Sequence, residues 1–263
     1  MTGIRTYDLH LDDERISAIR ASKEGQLVSV CIPCRNEEAT IGPIVRAIQN
    51  HLVDKLGIVD ELIVLDDCSG DSSAEIAARE GARVVPIKDV HGLYGDGHGK
   101  GNALWASLVV STGDVVVWLD GDVTNFDHDW VVRLLAPIFD DESVALVKAH
   151  YHRPVDGGGG GRTTELVARP MLSLLYPDLA NVIQPLAGEY AIRRPIVETL
   201  PLFEGWGVEV GLLIDVARRY GAESIIQVDL GTRTHRHRSL DVLSVQAAEI
   251  IAVLHRRLLG PTS

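Results

Sequence analysis

The sequence predicts an α/β fold, a mostly parallel sheet with helices on both faces, and three observations carry that prediction. From Leu27 onward short apolar runs alternate with segments of helical length, the runs are apolar without strict alternation, and polar, acid-rich clusters stand directly behind several of them. A strand buried on both faces reads as a continuous apolar run, and ligands of such sheets bind beyond the carboxyl ends of the strands.

The elements follow in order. Residues 1 to 26 are polar and read as an N-terminal extension with a short helix near Asp12 to Ser22. Val28 to Ile32, Glu61 to Leu65, Arg83 to Pro86 and Asp114 to Leu119 read as strands, separated by helices over Ala39 to Leu52, Ser72 to Glu80 and Lys100 to Ser111. In the second half Val144 to His150 reads as a strand, Arg162 to Leu175 as a helix interrupted or kinked near Pro170, and Gly188 to Ile192 as a short strand. Val208 to Tyr220 is a helix entered through Gly205-Trp206-Gly207, Ile225 to Leu230 a strand, and Leu240 to Leu258 a final helix. Leu243, Ala247, Ile250, Ile251 and Leu254 recur on that helix at the spacing of a core stripe. The glycine run Gly157 to Gly161 cannot hold a fixed backbone without a large entropic cost, so a mobile loop is expected there.

Composition bounds the function. At 263 residues, 46% hydrophobic and 24% charged, the chain fits one large domain with a substantial core. A formal net charge of -12 with no long basic block argues against nucleic-acid binding, so an anionic substrate must be held by local cations or a metal. No apolar run approaches the roughly 18 residues of a membrane span, and Met1-Thr2-Gly3-Ile4-Arg5 lacks a signal-peptide core. A soluble cytoplasmic protein is expected. The cysteines Cys31, Cys34 and Cys68 supply no four-ligand zinc site. Cys31-Ile32-Pro33-Cys34 has redox-motif spacing, but it lies in a strand and not at the helix N-terminus that lowers a reactive thiol's pKa.

The chemistry lies behind the strands. The first ends in Pro33-Cys34-Arg35-Asn36-Glu37-Glu38, the second in Asp66-Asp67-Cys68-Ser69-Gly70-Asp71, the fourth in Asp120-Gly121-Asp122. One such carboxylate could cap a helix, as Asp71 does best, but three clusters converging on one sheet edge suit a polar ligand. Asp120 and Asp122, with only a glycine between them, can share a hard divalent cation such as Mg²⁺ or Mn²⁺, whose remaining oxygens a diphosphate can supply. Asp67 can accept from a nucleotide base framed by backbone groups of Pro33 and Arg35. Lys100, in Gly97-His98-Gly99-Lys100-Gly101, can pair with a diphosphate or a carboxylate, and the spacing from Gly92 to Lys100 is not a phosphate-binding P-loop. Gly161-Arg162-Thr163-Thr164 opens a helix, so free N–H groups, two hydroxyls and a guanidinium converge on a candidate phosphate site. Gly188 permits close backbone approach within Leu186-Ala187-Gly188-Glu189-Tyr190.

These motifs together resemble the GT-A glycosyltransferases, with their Rossmann-like sheet, and more narrowly the glucosyl-3-phosphoglycerate synthase family. The resemblance runs from Val28 to about Leu258. It rests on the strand-end clusters, Gly99-Lys100-Gly101, the Asp-x-Asp (DXD) triplet, Gly161 through Pro170, Gln184-Pro185-Leu186-Ala187-Gly188-Glu189-Tyr190, Gly207-Val208-Glu209-Val210-Gly211 and His235-Arg236-His237-Arg238. It implies a single domain over 1–263, with a donor half at about 27–125 and an acceptor half at about 144–263. It also implies Asp122 and His235 as metal ligands, Asp120 on the ribose or the metal shell, and Glu37 on the ribose. Pro33, Arg35, Asp67, Lys100, Asp120 and Gly121 would then bind the nucleotide sugar, and Gly161, Arg162, Thr163, Thr164, Gly188, Glu189, Tyr190 and His237 the acceptor or sugar. Asp120, Asp122, Glu209 and Lys100 are the candidate catalytic residues. The family has asparagine where His237 stands, and a histidine there would bring a charge that varies near neutral pH.

The implied activity is glucose transfer from UDP-glucose to 3-phosphoglycerate with retention of configuration by a homodimer. No carboxylate stands out as a covalent nucleophile, so front-face displacement is the preferred mechanism. Mannosyl transfer from GDP-mannose is the neighbouring alternative. A sugar-nucleotide nucleotidyltransferase is disfavoured because its glycine-rich N-terminal loop is absent. A nonenzymatic nucleotide-binding module would need neither Arg162 nor His235.

Overall fold

A computed structural model describes residues 3–153, 161–234 and 240–259. Its strands are β1 (Arg5–Tyr7), β2 (Val28–Cys34), β3 (Glu61–Asp66), β4 (Arg83–Pro86), β5 (Val115–Trp118), β6 (Leu146–His152), β7 (Tyr190–Arg193) and β8 (Ile225–Thr232). The helices are α1 (Asp13–Ser22), α2 (Ile41–Ile48), α3 (Ser73–Arg79), α4 (Ile87–Tyr94), α5 (Gly99–Val110), α6 (Asp129–Asp140), α7 (Arg169–Leu175), α8 (Arg194–Val197), α9 (Val208–Tyr220) and α10 (Leu240–Leu259).

Among the described residues the strands form one sheet in the order β1-β8-β6-β7-β5-β2-β3-β4. Alternation along each strand feeds two cores. Val28, Val30, Ile32, Val115 and Val117 face one layer with α1, α2, α3 and α6, whereas Cys31, Val116 and Trp118 face the other with α4, α5, α7, α8, α9 and α10. Trp118 is fully buried, and its indole N–H donates to Ser107 Oγ at 2.8 Å, which satisfies the polar edge that burial would otherwise strand.

Every pairing is parallel except at β7, which runs antiparallel to both β5 and β6. The inverted strand joins the two halves of the chain, and all the other strands point their carboxyl ends to one edge. A β1 strand beside β8 and the helix α6 add to the elements expected from the pattern. The helix expected to be interrupted or kinked near Pro170 is interrupted just before it, by a wide π-type turn over Thr164–Ala168 that leads into α7. Pro170 has no N–H and its ring crowds the carbonyl four residues back, and the wider turn accommodates both defects. On α10 the buried stripe is Gln246, Ile250, Val253 and Leu254, whereas Ile251 is 43% exposed, so the inward face is rotated from the one expected. No helix among the described residues is long and apolar enough to cross a membrane.

Candidate active site

At the carboxyl edge, β2, β3 and β5 open a cavity of about 350 Å³. Its walls bring together Pro33, Arg35, Glu37, Asp67, Lys100, Asp120, Gly121 and Asp122, the entire donor-side set expected from the sequence, and add Trp206. The Asp120-Gly121-Asp122 turn is anchored from below, where Thr40 Oγ1 donates to the Gly121 carbonyl at 2.6 Å.

Two loops, 35–38 and 67–73, form one end of the cavity. Asn36 N donates to Ser69 Oγ at 3.1 Å, Glu37 N to Ser73 Oγ at 2.7 Å and Glu38 N to Asp71 Oδ2 at 3.2 Å. In return Gly70 N donates to Asn36 Oδ1 at 2.8 Å and Ser72 N to Glu38 Oε2 at 3.3 Å. Short side-chain acceptors on each loop thus take up the backbone donors of the other. Arg35 pairs with Asp67 at 3.3 Å across the cavity mouth, with its own side chain 65% exposed.

The other end is a buried lattice of charge. Lys100 Nζ lies 2.5 Å from Asp120 Oδ1 and 2.7 Å from Glu209 Oε1. Burial alone would lower the Lys100 pKa, but Asp120 and Glu209 outweigh it and hold the ammonium well above its ordinary range. Arg233 Nη2 bonds both members of the triplet, at 2.8 Å to Asp120 Oδ2 and 3.1 Å to Asp122 Oδ1. Its Nε lies 3.0 Å from Glu189 Oε1 as an ion pair without hydrogen-bond alignment. Glu189 is fully buried, and burial raises its pKa against the pull of Arg233. Arg233 Nη1 donates to the Tyr151 hydroxyl at 3.1 Å, which also accepts from Arg153 Nη2 at 3.0 Å.

The turn before β7 closes the site from above. A Cβ on Gly188 would lie 2.1 to 2.3 Å from the Asp120 carboxylate, so only glycine lets this backbone pass. Tyr190 is fully buried against Trp118, with ring centroids 5.1 Å apart. Gly161, Arg162 and Thr163 are half-buried and Thr164 is buried at the entry to the π-type turn, and none of the four lines the donor cavity. His235 and His237, with Arg236 and Arg238, lie outside the described residues, as do Gly157 to Gly160.

Sequence reasoning passed over Arg233, Tyr151 and Lys148, and treated Trp206 only as a helix entry. Arg233 carried one usable signal, its position at the end of a predicted strand two residues from His235. Among the described residues, Asp127, His128 and Asp129 form a further group with metal-ligand atoms close together, but it lies at the start of α6 and not in this cavity.

The family model for Glycosyl transferase family 2 matches residues 29–200. The chain is 42% identical to a glucosyl-3-phosphoglycerate synthase of Petrotoga mobilis, over 95% of this chain and 79% of that protein. It also resembles a crystal structure of glucosyl-3-phosphoglycerate synthase from Mycobacterium tuberculosis in complex with Mn²⁺, UDP-glucose and phosphoglyceric acid. The TM-score is 0.90 at 43% identity, over 99% of this chain and 89% of the other. A structure of that enzyme with Mg²⁺ and UDP matches with a TM-score of 0.90 at 42% identity, over 99% of this chain and 88% of the other.

Proposed function

The chain belongs to glycosyl transferase family 2 and, within it, to the glucosyl-3-phosphoglycerate synthases, and on that premise we infer that it transfers glucose from UDP-glucose to 3-phosphoglycerate with Mg²⁺ or Mn²⁺. One observation carries the reading at the level of residues. A single cationic nitrogen, Arg233 Nη2, bonds both Asp120 and Asp122 inside the cavity that holds Asp67, Glu37 and Lys100. The two carboxylates therefore converge closely enough to share one cation, and their oxygen donors suit a hard divalent ion. Asp122 and His235 would hold it.

Asp67 and the backbone at Pro33 and Arg35 receive the base in this reading, and Glu37 the ribose. A divalent ion so bound would supply charge stabilisation to the departing diphosphate. Lys100 lies within the same electrostatic field and orients Asp120. Glu209 is engaged by Lys100 at 2.7 Å, which suits a group that positions the sugar better than a free nucleophile. The acceptor hydroxyl attacks the anomeric carbon on the face the diphosphate leaves, the C–O bond to phosphate breaks as the new glycosidic bond forms, and the hydroxyl proton passes to a donor phosphate oxygen. Retention follows from that geometry.

Arg162, with Gly161, Thr163 and Thr164, is assigned to the acceptor phosphate, and Gly188, Glu189 and Tyr190 to the sugar side, with His237 completing the acceptor set. The donor half, about 27–125, and the acceptor half, about 144–263, interlock in this assignment, since from the second half Arg233 reaches the triplet and Glu209 reaches Lys100. A homodimer is part of the reading, supported by apolar side chains that α10 leaves exposed, among them Val245 at 59%. Sedimentation tests it. The cytoplasm is the proposed location.

The activity test pairs UDP-glucose, UDP-mannose, GDP-glucose and GDP-mannose with 3-phosphoglycerate and with unphosphorylated glycerate, with and without divalent metal. Turnover is expected with UDP-glucose and 3-phosphoglycerate in the presence of metal. Preferential use of GDP-mannose, which the relatives do not favour, or equal rates with glycerate would contradict it.

A further inference from the structure

Lys148 lies on β6 between core residues, with its side chain 1% exposed. Lysines are almost never buried so completely unless paired, yet among the described residues no carboxylate pairs with this one directly. Its Nζ donates to the Ala187 carbonyl at 2.5 Å and sits 4.3 Å from the centre of the Tyr190 ring, its cross-strand partner. An apolar side chain of similar volume would fill the space without the cost of desolvating an ammonium. The ammonium's return is a fixed carbonyl at a particular place.

That place is the turn over the triplet. Ala187 precedes Gly188, whose backbone passes so close to Asp120 that a Cβ would fall 2.1 to 2.3 Å from the carboxylate. Glu189, on the other side, is held by its carbonyl accepting from Ala149 N at 3.0 Å. β6 thus grips the segment on both sides of Gly188, through the ladder at Glu189 and through Lys148 at Ala187. Gly188 is left with no slack against Asp120.

We propose that Lys148 is a positioning residue for glucose transfer: by holding the Ala187 carbonyl it sets the height of the Gly188 backbone over Asp120, and with it the seat of the donor's sugar. This rests on the reading that the cavity binds UDP-glucose with Asp120 on the ribose or the metal shell. Lys148 acts through Ala187 and Gly188 and touches no reacting atom. Because the nucleobase end is built from other loops, the effect separates nucleotide binding from turnover.

The charges around the ammonium come from every side: Glu209 from α9, Lys100 from α5, Glu189 from the turn before β7 and Asp120 behind β5. Burial outweighs the carboxylates and pushes the lysine down to about 8. Above that pH the charge-assisted bond to Ala187 becomes an ordinary amine hydrogen bond, which is weaker.

The test replaces Lys148 with Met and with Gln in the full chain, and measures UDP binding, kcat for UDP-glucose with 3-phosphoglycerate, thermal stability and the pH profile. Lys148→Met is expected to bind UDP within about twofold of wild type and to lose at least about tenfold in kcat, the scale of a small misplacement at a reacting centre, with Tm not lowered. Lys148→Gln, which keeps a donor for the carbonyl, recovers several-fold of that loss. Wild-type kcat declines above pH of about 8, and that of Lys148→Met stays level there. Wild-type kcat in the Met variant, a Gln variant no better than Met, or a loss of kcat that tracks equal losses of Tm and UDP affinity overturns the proposal. An inactive wild-type enzyme with these substrates would instead sink the donor reading itself.

Discussion

The two ends of the cleft share one sheet edge but are held by opposite means. At the base end, loops 35–38 and 67–73 are stitched by side chains accepting from each other's backbone N–H groups, and the Arg35–Asp67 pair faces solvent. At the phosphate end, Lys100 and Arg233 alternate with Asp120, Asp122, Glu189 and Glu209, of which Arg233, Glu189 and Glu209 are buried and Lys100, Asp120 and Asp122 half-buried. Hydrogen bonds of this kind contribute about 0.5–1.5 kcal/mol each where the acceptor is neutral, as at Ser69, Ser73 and Asn36, and more where it is the Asp71 or Glu38 carboxylate. Breaking one partner from a buried ion lattice strands the others, at about 3–5 kcal/mol. On the proposed reading the difference separates recognition from chemistry: changes at the base end are expected to leave the reaction intact, and changes at the phosphate end are expected to impair it.

Lys100→Met gives the largest expected effect. It leaves Asp120 and Glu209 without their shared cation, so denaturant unfolding should show a loss of about 3–5 kcal/mol, and transfer should fall by at least about 10²-fold. A stable, active variant would erase the distinction between the two ends. Gly188→Ala comes next. The added methyl forces the turn away from Asp120, and kcat should fall about 10²-fold while UDP binding persists; a parallel loss of UDP affinity would show that the turn belongs to the base end.

Smaller effects are expected across the cleft. Ser73→Ala removes the acceptor for Glu37 N, with an expected loss of about 1–2 kcal/mol in stability and a few-fold rise in KM for UDP-glucose. Arg35→Ala, at a pair whose arginine is 65% exposed, should cost less than about 1 kcal/mol and leave kcat unchanged. If Arg35→Ala lowered kcat as strongly as Gly188→Ala, the two ends would not be separable.

The base end and the triplet were legible in the sequence because both lie directly behind apolar runs, and the rule that ligands gather at strand ends locates them without any knowledge of strand order. Lys100, Glu189 and Glu209 were marked by their motifs, whereas Arg233 and Lys148 were not legible. Arg233 stands three residues past the expected strand Ile225 to Leu230, and only the placement of β8 two strands from β7 brings it onto Asp120. Lys148 reads as a polar interruption of an apolar strand, and its role depends on the inverted β7 lying beside it. Pairing direction is not encoded in the apolar pattern of a strand buried on both faces. β1 escaped notice because three residues with two exposed side chains carry no period.

The most direct test of the central claim is the metal dependence of glucose transfer from UDP-glucose to 3-phosphoglycerate in the wild-type protein and in Asp122→Asn. The expected result is turnover with Mn²⁺ or Mg²⁺ that chelation abolishes, and a variant on the order of 10³-fold slower at saturating metal. Full transfer by the chelated wild-type enzyme, or by Asp122→Asn, would contradict the assignment of the reaction to the carboxylate pair behind β5.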